Sequence, residues 1–293
     1  MQILLIGKNG QLGWELERTL TTLGSVTAMS HAEIDLEQPE AIRALVRQER
    51  PHLIVNAAAY TAVDKAESER DRAWSVNAIA PGILAEEAQR VKAAFIHYST
   101  DYVFDGQKRT PYLESDVPNP INAYGHSKQG GERLIQDVGD AYIILRTSWV
   151  YSLRQQNGFV NKVLQWAHQN EVVRIVKDQF GSPTWARMLA EETSSLVAAS
   201  GDQLYDFIKS RQGIYHAAGK GGVTRLEWAQ AILRYDPNLA EQRVKKLEGA
   251  MTSEFPTPAA RPAFSALSCE RFETTFNLHV PNWEESLQLA LGE

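Results

Sequence analysis

The first thirteen residues constrain the fold more than any other stretch. Ile3–Ile6 is a short apolar run that reads as a buried strand, and Gly7-Lys8-Asn9-Gly10-Gln11-Leu12-Gly13 follows at once. Leu12, Leu16, Leu20 and Leu23 then recur at helical spacing, which predicts a helix over Gln11–Leu23. Glycines between a strand and a helix allow a tight turn and a close approach of backbone to a pyrophosphate. The helix N-terminus offers that pyrophosphate its free N–H groups. Gly7, Gly10 and Gly13, with Gln11 and Leu12 among them, are therefore candidate dinucleotide-binding residues. The spacing is G-x-x-G-x-x-G, not the commoner fingerprint. A glycine-rich turn of an ordinary strand–helix unit is the other reading.

The next 135 or so residues repeat the strand–helix alternation. Leu53–Asn56, Phe95–Tyr98 and Tyr142–Arg146 read as strands, Asp71–Lys92 as a long helix, and Tyr124–Asp137 as a further helix. Their strands are continuously apolar instead of alternating, which predicts a parallel sheet covered on both faces. After residue 150 the pattern loosens. Phe159–His168, Ala186–Ala199 and Arg225–Leu233 read as helices, and Gly219–Gly222 and Pro256–Pro262 as loops. The expected plan is an α/β fold, a Rossmann-type doubly wound parallel sheet over residues 1–150, with a smaller substrate-binding part over 151–293. Segments near 170–215 are expected to return to the first part.

Tyr124-Gly125-His126-Ser127-Lys128 is a Y-x-x-x-K. On a helix, a spacing of four puts both side chains on one face. A free tyrosine titrates near ~10 and is a poor acid–base group at neutral pH. A neighbouring ammonium is expected to stabilise the phenolate and bring Tyr124 towards the working range. The strand at Phe95–Tyr98 ends in Ser99-Thr100-Asp101, where a hydroxyl could bind the same substrate oxygen. His126 falls between the pair and off their face, and is read as a surface residue.

Around the end of the second strand stand Ala28-Met29-Ser30-His31. This is where the adenosine ribose is normally read. No acid is in view there to reject a 2′-phosphate and no arginine to welcome one, so NADPH and NADH are both expected to serve. Ser30, Asp35 and Leu36 are candidates for this end of the cofactor, with Asp35 equally a loop residue or a helix cap.

The composition, with 43% hydrophobic and 23% charged residues, is that of a globular protein. A net charge of −6 gives no sign of a nucleic-acid surface. A lone cysteine, Cys269, cannot form an internal disulfide, and no apolar run approaches the ~20 residues that span a bilayer. With no basic leader before Ile3, the expectation is a cytoplasmic protein that is neither membrane-bound nor nucleic-acid-bound.

With both motifs placed, the chain resembles the extended short-chain dehydrogenase/reductase family over nearly its whole length. The stretches that carry the resemblance are Gly7–Gly13, Val55–Asp64, His97–Phe104, Tyr124–Lys128, Arg146–Tyr151, Asp178–Thr184 and Arg261-Pro262. Within that family it is most similar to reductases of a 4-keto sugar nucleotide, and the implied reaction is reduction of the C4 ketone of dTDP-4-dehydro-β-L-rhamnose. The resemblance implies Tyr124 as proton donor, Thr100 at the same oxygen, and Lys128 on the nicotinamide ribose. It implies Ala59, Tyr60, Thr61 and Tyr98 along the cofactor, and Asp101 and Trp149 facing the sugar nucleotide.

Some relatives are dimers that share Mg²⁺ through clustered glutamates. Glu15 and Glu284 fall in matching stretches, but Arg187 stands where a further ligand would be and cannot bind a cation. No metal ligand is therefore assigned, Mg²⁺ dependence is doubted, and a monomer or a homodimer is expected. Competing readings are a sugar-nucleotide dehydratase or epimerase, and a non-catalytic NADP-binding regulatory subunit. Dehydratases of this family carry Glu directly after the Thr-Asp pair, where this chain has Tyr102.

Overall fold

The structure, a computed structural model, describes residues 1–292. Five strands lie in the first half: β1 (Gln2–Ile6), β2 (Ser25–Met29), β3 (Leu53–Asn56), β4 (Ala94–Thr100) and β5 (Tyr142–Thr147). A sixth, Gly213–His216, pairs with β5 and completes a parallel sheet. From the β2 edge the order is β2, β1, β3, β4, β5, then Gly213–His216. The chain leaves β1 in one direction for β2 and in the other for β3. The sheet therefore has a switch point at the carboxyl ends of β1 and β3, where a crevice opens. Apolar runs such as Leu53–Asn56 are fully buried because both sheet faces are covered.

Helix α1 (Gln11–Thr21) buries Leu12, Leu16 and Leu20 on the sheet, each worth roughly 1.5–3 kcal/mol. It can lie there because its third residue, Gly13, has no side chain. A Cβ on Gly13 would stand 2.0 Å from the Gly7 carbonyl oxygen. Gly7 itself has φ +99°, and a Cβ there would stand 2.7 Å from the Ala58 nitrogen. Backbone rests on backbone at this turn, and only glycine fits.

The predicted helix Asp71–Lys92 is not continuous. Arg70–Trp74 and Ala80–Val91 are α-helical, with a π-helical turn at Ser75–Ile79 between them. Pro81 has no N–H to give the Asn77 carbonyl four residues back, and its ring would press on it. The ladder widens to a π turn there, and Asn77 is turned out of register. The helix Ala123–Val138 closes on this turn through two more glycines: a Cβ on Gly131 would meet the Asn77 oxygen at 2.2 Å, and one on Gly130 the Trp74 ring at 2.5 Å.

Beyond β5 the chain builds a second core around Trp228. Phe159–Gln169, Arg225–Arg234 and Trp283–Leu291 supply helices, and Val172–Val176 pairs in parallel with Lys246–Ala250. Ala186–Ala198 packs its Leu189, Ala190, Leu196 and Val197 into the core of the main sheet instead. Sequence reading missed the helix Pro39–Glu49 and the helices Leu204–Ser210 and Glu270–Phe276. Cys269 is buried, and His126 is exposed.

Gly13→Ala is expected to destabilise the protein by at least the ~1–3 kcal/mol typical of overpacking, because the clash is with backbone that cannot rotate away. Gly10→Ala, whose Cβ would sit 3.3 Å from the same oxygen, should cost much less. Urea unfolding of the two variants checks this; equal stability would contradict the close-contact account.

Candidate active site

A cleft of about 750 Å³ opens at the switch point. Gly7, Gly10, Gln11, Leu12, Ser30, Asp35, Leu36, Ala59, Tyr60, Thr61, Tyr98, Thr100, Asp101, Tyr124, Lys128 and Trp149 all line it. Of the sequence-derived candidates, Gly13 alone is absent from the wall, because it is spent on the contact under the turn.

At the glycine turn, Gly7 donates its N–H to the Met29 carbonyl, and Gly10 caps α1 with no side-chain bond to the first turn. Gln11 donates weakly to the Val150 carbonyl at 3.5 Å, while its Oε1 is buried without a partner. Thr147 Oγ1, on the same wall, is likewise unpartnered. A glycine cradle, an uncapped helix N-terminus and two orphaned polar atoms fit a dinucleotide, with its phosphates at the turn and hydrogen-bonding groups beyond.

Beside Ser30, behind the wall of the cleft, the fold brings together an acid and a base, Glu33 and Lys8. Glu33 accepts from the Ser30 N–H and hydroxyl, each at 2.7 Å, and from Lys8 Nζ at 2.7 Å. Lys8 also donates to the Ala28 carbonyl. The Lys8 and Ser30 hydrogen bonds hold the Glu33 carboxyl down at about 2. Neither residue was visible because strand-end and turn positions converge only after β2 ends. Asp35 lines the cleft and also accepts from the Glu37 N–H. The cap of Pro39–Glu49 is Gln38, so Asp35 is not a helix cap.

The strap after β3 is held by Asn77 from the π turn. Its side chain accepts from the Tyr60 N–H, and donates to the Tyr60 carbonyl and to Ser127 Oγ. Asn77 lay hidden inside an apparently uniform helix. Tyr60 hydroxyl donates to Glu69. Tyr98 reaches the cleft mainly as backbone: its hydroxyl is bonded to Thr193 at 2.7 Å, away from a cofactor, and its carbonyl receives Lys128.

Tyr124 and Lys128 share the face of their helix, whose cap Asn122 accepts from the Gly125 N–H. Tyr124 stands edge-on to Tyr102 with centroids 5.9 Å apart. Burial raises the Tyr124 phenol far above its ordinary value, and the Thr100 hydroxyl only partly opposes this. The expected lowering by Lys128 is absent. The Lys128 amine points instead to the Tyr98 carbonyl, 2.7 Å, and to His97 Nε2, 3.1 Å. Burial brings Lys128 down to about 8. Tyr124 therefore rests protonated at neutral pH, which is the state a proton donor needs.

Asp101 lines the cleft, but its carboxylate is taken by hydroxyls from three parts of the chain: Thr100, Ser148 and Ser265. Burial still raises it to about 6. It braces the end of β4 more than it faces outward. Trp149 adopts φ +43°, a costly left-handed conformation for a bulky residue. Gly181 makes room for its ring, since a Cβ there would lie 2.4 Å away. Arg225, not singled out from sequence, stacks over Trp149 at 3.6 Å. It lines the cleft, and burial lowers its guanidinium to about 10, so it keeps its charge. Among the described residues Arg225 forms no ion pair. Buried cations of this kind call for an anion.

Away from the cleft, Glu284 accepts from Arg234 and Tyr235, and Arg187 pairs with Glu191. Among the described residues no three metal-ligating side chains cluster, and no helix is long and apolar enough to cross a membrane.

The chain matches the family described as the RmlD substrate binding domain over residues 1–293. It is 42% identical over 297 residues to a dTDP-4-dehydrorhamnose reductase of Burkholderia thailandensis, covering 100% of this chain and 99% of that protein. With the protein of that name from Escherichia coli K12 it shares 39% over 298 residues, covering 100% and 98%. A crystal structure of a dTDP-4-dehydrorhamnose reductase from Clostridium acetobutylicum superposes with a TM-score of 0.90 at 33% identity, covering 100% of this chain and 99% of that one. Another from Bacillus anthracis, in complex with NADP, superposes with a TM-score of 0.88 at 34% identity, covering 98% and 97%. The glycine turn, the Tyr–Lys helix face and this full-length similarity together establish that the chain belongs to the RmlD family of Rossmann-type, short-chain-dehydrogenase-like proteins.

Proposed function

We propose that this protein uses NADPH or NADH to reduce the C4 ketone of dTDP-4-dehydro-β-L-rhamnose, the last step of dTDP-L-rhamnose synthesis. The observation that carries this is the placement of Thr100, Tyr124 and Lys128 on one wall of a cleft whose other end is the glycine turn. Its family setting, with relatives named for this reduction, supplies the sugar nucleotide.

When bound, the nicotinamide supplies the hydride. Tyr124 gives its proton to the oxygen that becomes an alkoxide, a stronger base than any phenolate, so a high resting affinity for the proton does not prevent transfer. The Thr100 hydroxyl, which in the ligand-free site gives its one proton to Asp101, would turn that proton to the same oxygen, where charge grows in the transition state. Asp101, locked by three hydroxyls, fixes Thr100 at the end of β4. Lys128 holds the ribose edge. Arg225, charged and with no carboxylate in direct contact although Asp101 is near enough to interact, suits the diphosphate of the sugar nucleotide, beside the ring of Trp149. The part beyond residue 150 thus contributes Arg225 to the sugar nucleotide, while the part before it holds the cofactor and the groups that act on the ketone.

Dehydration is disfavoured at this site. It needs a base for the C5 proton and an acid for the C6 hydroxyl. Burial raises the Tyr102 phenol, so it stays protonated where a dehydratase would present a carboxylate. Purified protein with dTDP-4-dehydrorhamnose and NADPH should consume NADPH, and with dTDP-glucose and NAD⁺ should form no keto sugar. The reverse pattern would overturn the assignment.

Tyr124→Phe should keep the fold and cofactor affinity and lose 10²–10⁴-fold in turnover, the usual worth of a general acid. Near-wild-type turnover with chemistry rate-limiting would exclude Tyr124 as the acid. At the ribose end, Glu33 neutralises Lys8, so wild-type affinities for NADPH and NADH should differ only moderately. Glu33→Gln should shift their Kd ratio towards NADPH by up to about tenfold, or ~1.4 kcal/mol. An unchanged ratio, or a wild-type preference above about a thousandfold, would contradict this account of the ribose end.

A further inference from the structure

Behind Lys128 lies a buried chain of polar groups that the proposed reaction does not use. Lys128 Nζ is 3.1 Å from His97 Nε2, and His97 Nδ1 is 3.1 Å from Asn56 Nδ2. The Asn56 side chain is oriented by its other atom, since Oδ1 accepts from the Ala58 N–H at 3.1 Å. That leaves the Asn56 NH₂ facing the ring, and an amide NH₂ can only donate. His97 Nδ1 must then be the accepting nitrogen. Burial keeps the ring neutral, so its one proton sits on Nε2, aimed at Lys128. An ammonium has no lone pair with which to receive it; a free amine has one. The amine's own hydrogens still serve the Tyr98 carbonyl at 2.7 Å.

We propose that His97 is a positioning residue that, set by Asn56 as the Nε2–H tautomer, donates to the free-amine form of Lys128 and so holds down its affinity for a proton in the cofactor-free protein. The surroundings agree. Glu132, one turn along the same helix, is the carboxylate that acts on Lys128, and it is neutralised by a two-pronged bond from Arg146 of β5 and receives Ser99 of β4. Asp101 is committed to its hydroxyls. Burial lowers Lys128 to about 8, and a hydrogen bond donated to its lone pair acts in the same direction. The consequence is a Lys128 whose charge, and with it any pull on the Tyr124 proton, is lost as pH rises through about 8. Only the consequence rests on the proposed reaction; the hydrogen-bond assignment does not.

The test reads the cofactor-free full chain by NMR, so it is independent of any substrate. Long-range ¹H–¹⁵N spectra at pH 8 should show His97 protonated at Nε2 and bare at Nδ1. The Lys128 Cε and Nζ signals, followed across pH, should move to those of a free amine with a titration midpoint at or below about 8. Asn56→Asp replaces the donor by an acceptor. It should switch His97 to the Nδ1–H form and raise the Lys128 midpoint by at least about one pH unit. Because the added carboxylate also favours the Lys128 ammonium through space, Asn56→Leu, which removes the donor without adding charge, is read beside it: it should release the Nε2–H tautomer and raise the midpoint, whereas a merely structural His97 would leave both unchanged there. An Nδ1–H tautomer in the wild type, a Lys128 midpoint near the ordinary lysine value, or a variant with tautomer and midpoint unchanged would each overturn the proposal.

Discussion

The contact between the backbone of Gly13 and the carbonyl of Gly7 is the constraint on which the rest depends. It sets how closely α1 approaches the β1–β3 edge, and so where the first free N–H groups of α1 point. Any side chain there would have to occupy space already filled by a carbonyl oxygen. The crevice at the switch point exists because the sheet order reverses beside this turn, and its wall is lined by whatever each strand carries at its carboxyl end. Gly130 and Gly131 act in the same way on the other side, letting the helix of Tyr124 and Lys128 sit against the π turn.

That second contact links packing to chemistry. Pro81 opens the helix, Asn77 swings out, and its side chain ties the Tyr60 backbone to Ser127. One proline thus couples the Tyr60 strap to the helix that bears Tyr124 and Lys128. The electrostatics follow from burial more than from pairing. Tyr124, Lys128, Arg225 and Asp101 are each pushed towards their neutral forms by desolvation. Only Arg225 is so basic that it keeps its charge regardless, which is why it suits the charged part of a ligand.

Much of this was legible in the sequence. Continuous apolar strands and four-spaced leucines are local signals, and they give β1, β3, β4, β5 and α1 to within a few residues. The glycine turn and the Tyr–Lys pair are short motifs whose geometry is set by one strand–helix junction and one helix face. The unread part is non-local. Lys8 and Glu33 meet only because β2 ends where the turn begins. Asn77 leaves its helix because of a proline four residues later. Asn56 and His97 sit in neighbouring strands as two polar residues in apolar runs, and only the register of β3 on β4 shows that they pair. Arg225 comes from a helix of the second core and reaches the cleft through its stacking on Trp149. Tyr98 and Asp101 were placed in the right cleft, but which atoms face it depends on partners, Thr193 and Ser265, far along the chain.

The central claim is that this cleft delivers hydride to carbon 4 of a sugar nucleotide and a proton to its oxygen. The most direct measurement is to supply NADPH deuterated at the transferable position of the nicotinamide, together with dTDP-4-dehydrorhamnose, and to locate the label in the product by mass spectrometry and NMR. The account predicts one deuterium, on C4 of the sugar, with the new hydroxyl proton exchanging from solvent. Deuterium on another carbon, or a reduced sugar carrying none, would contradict it.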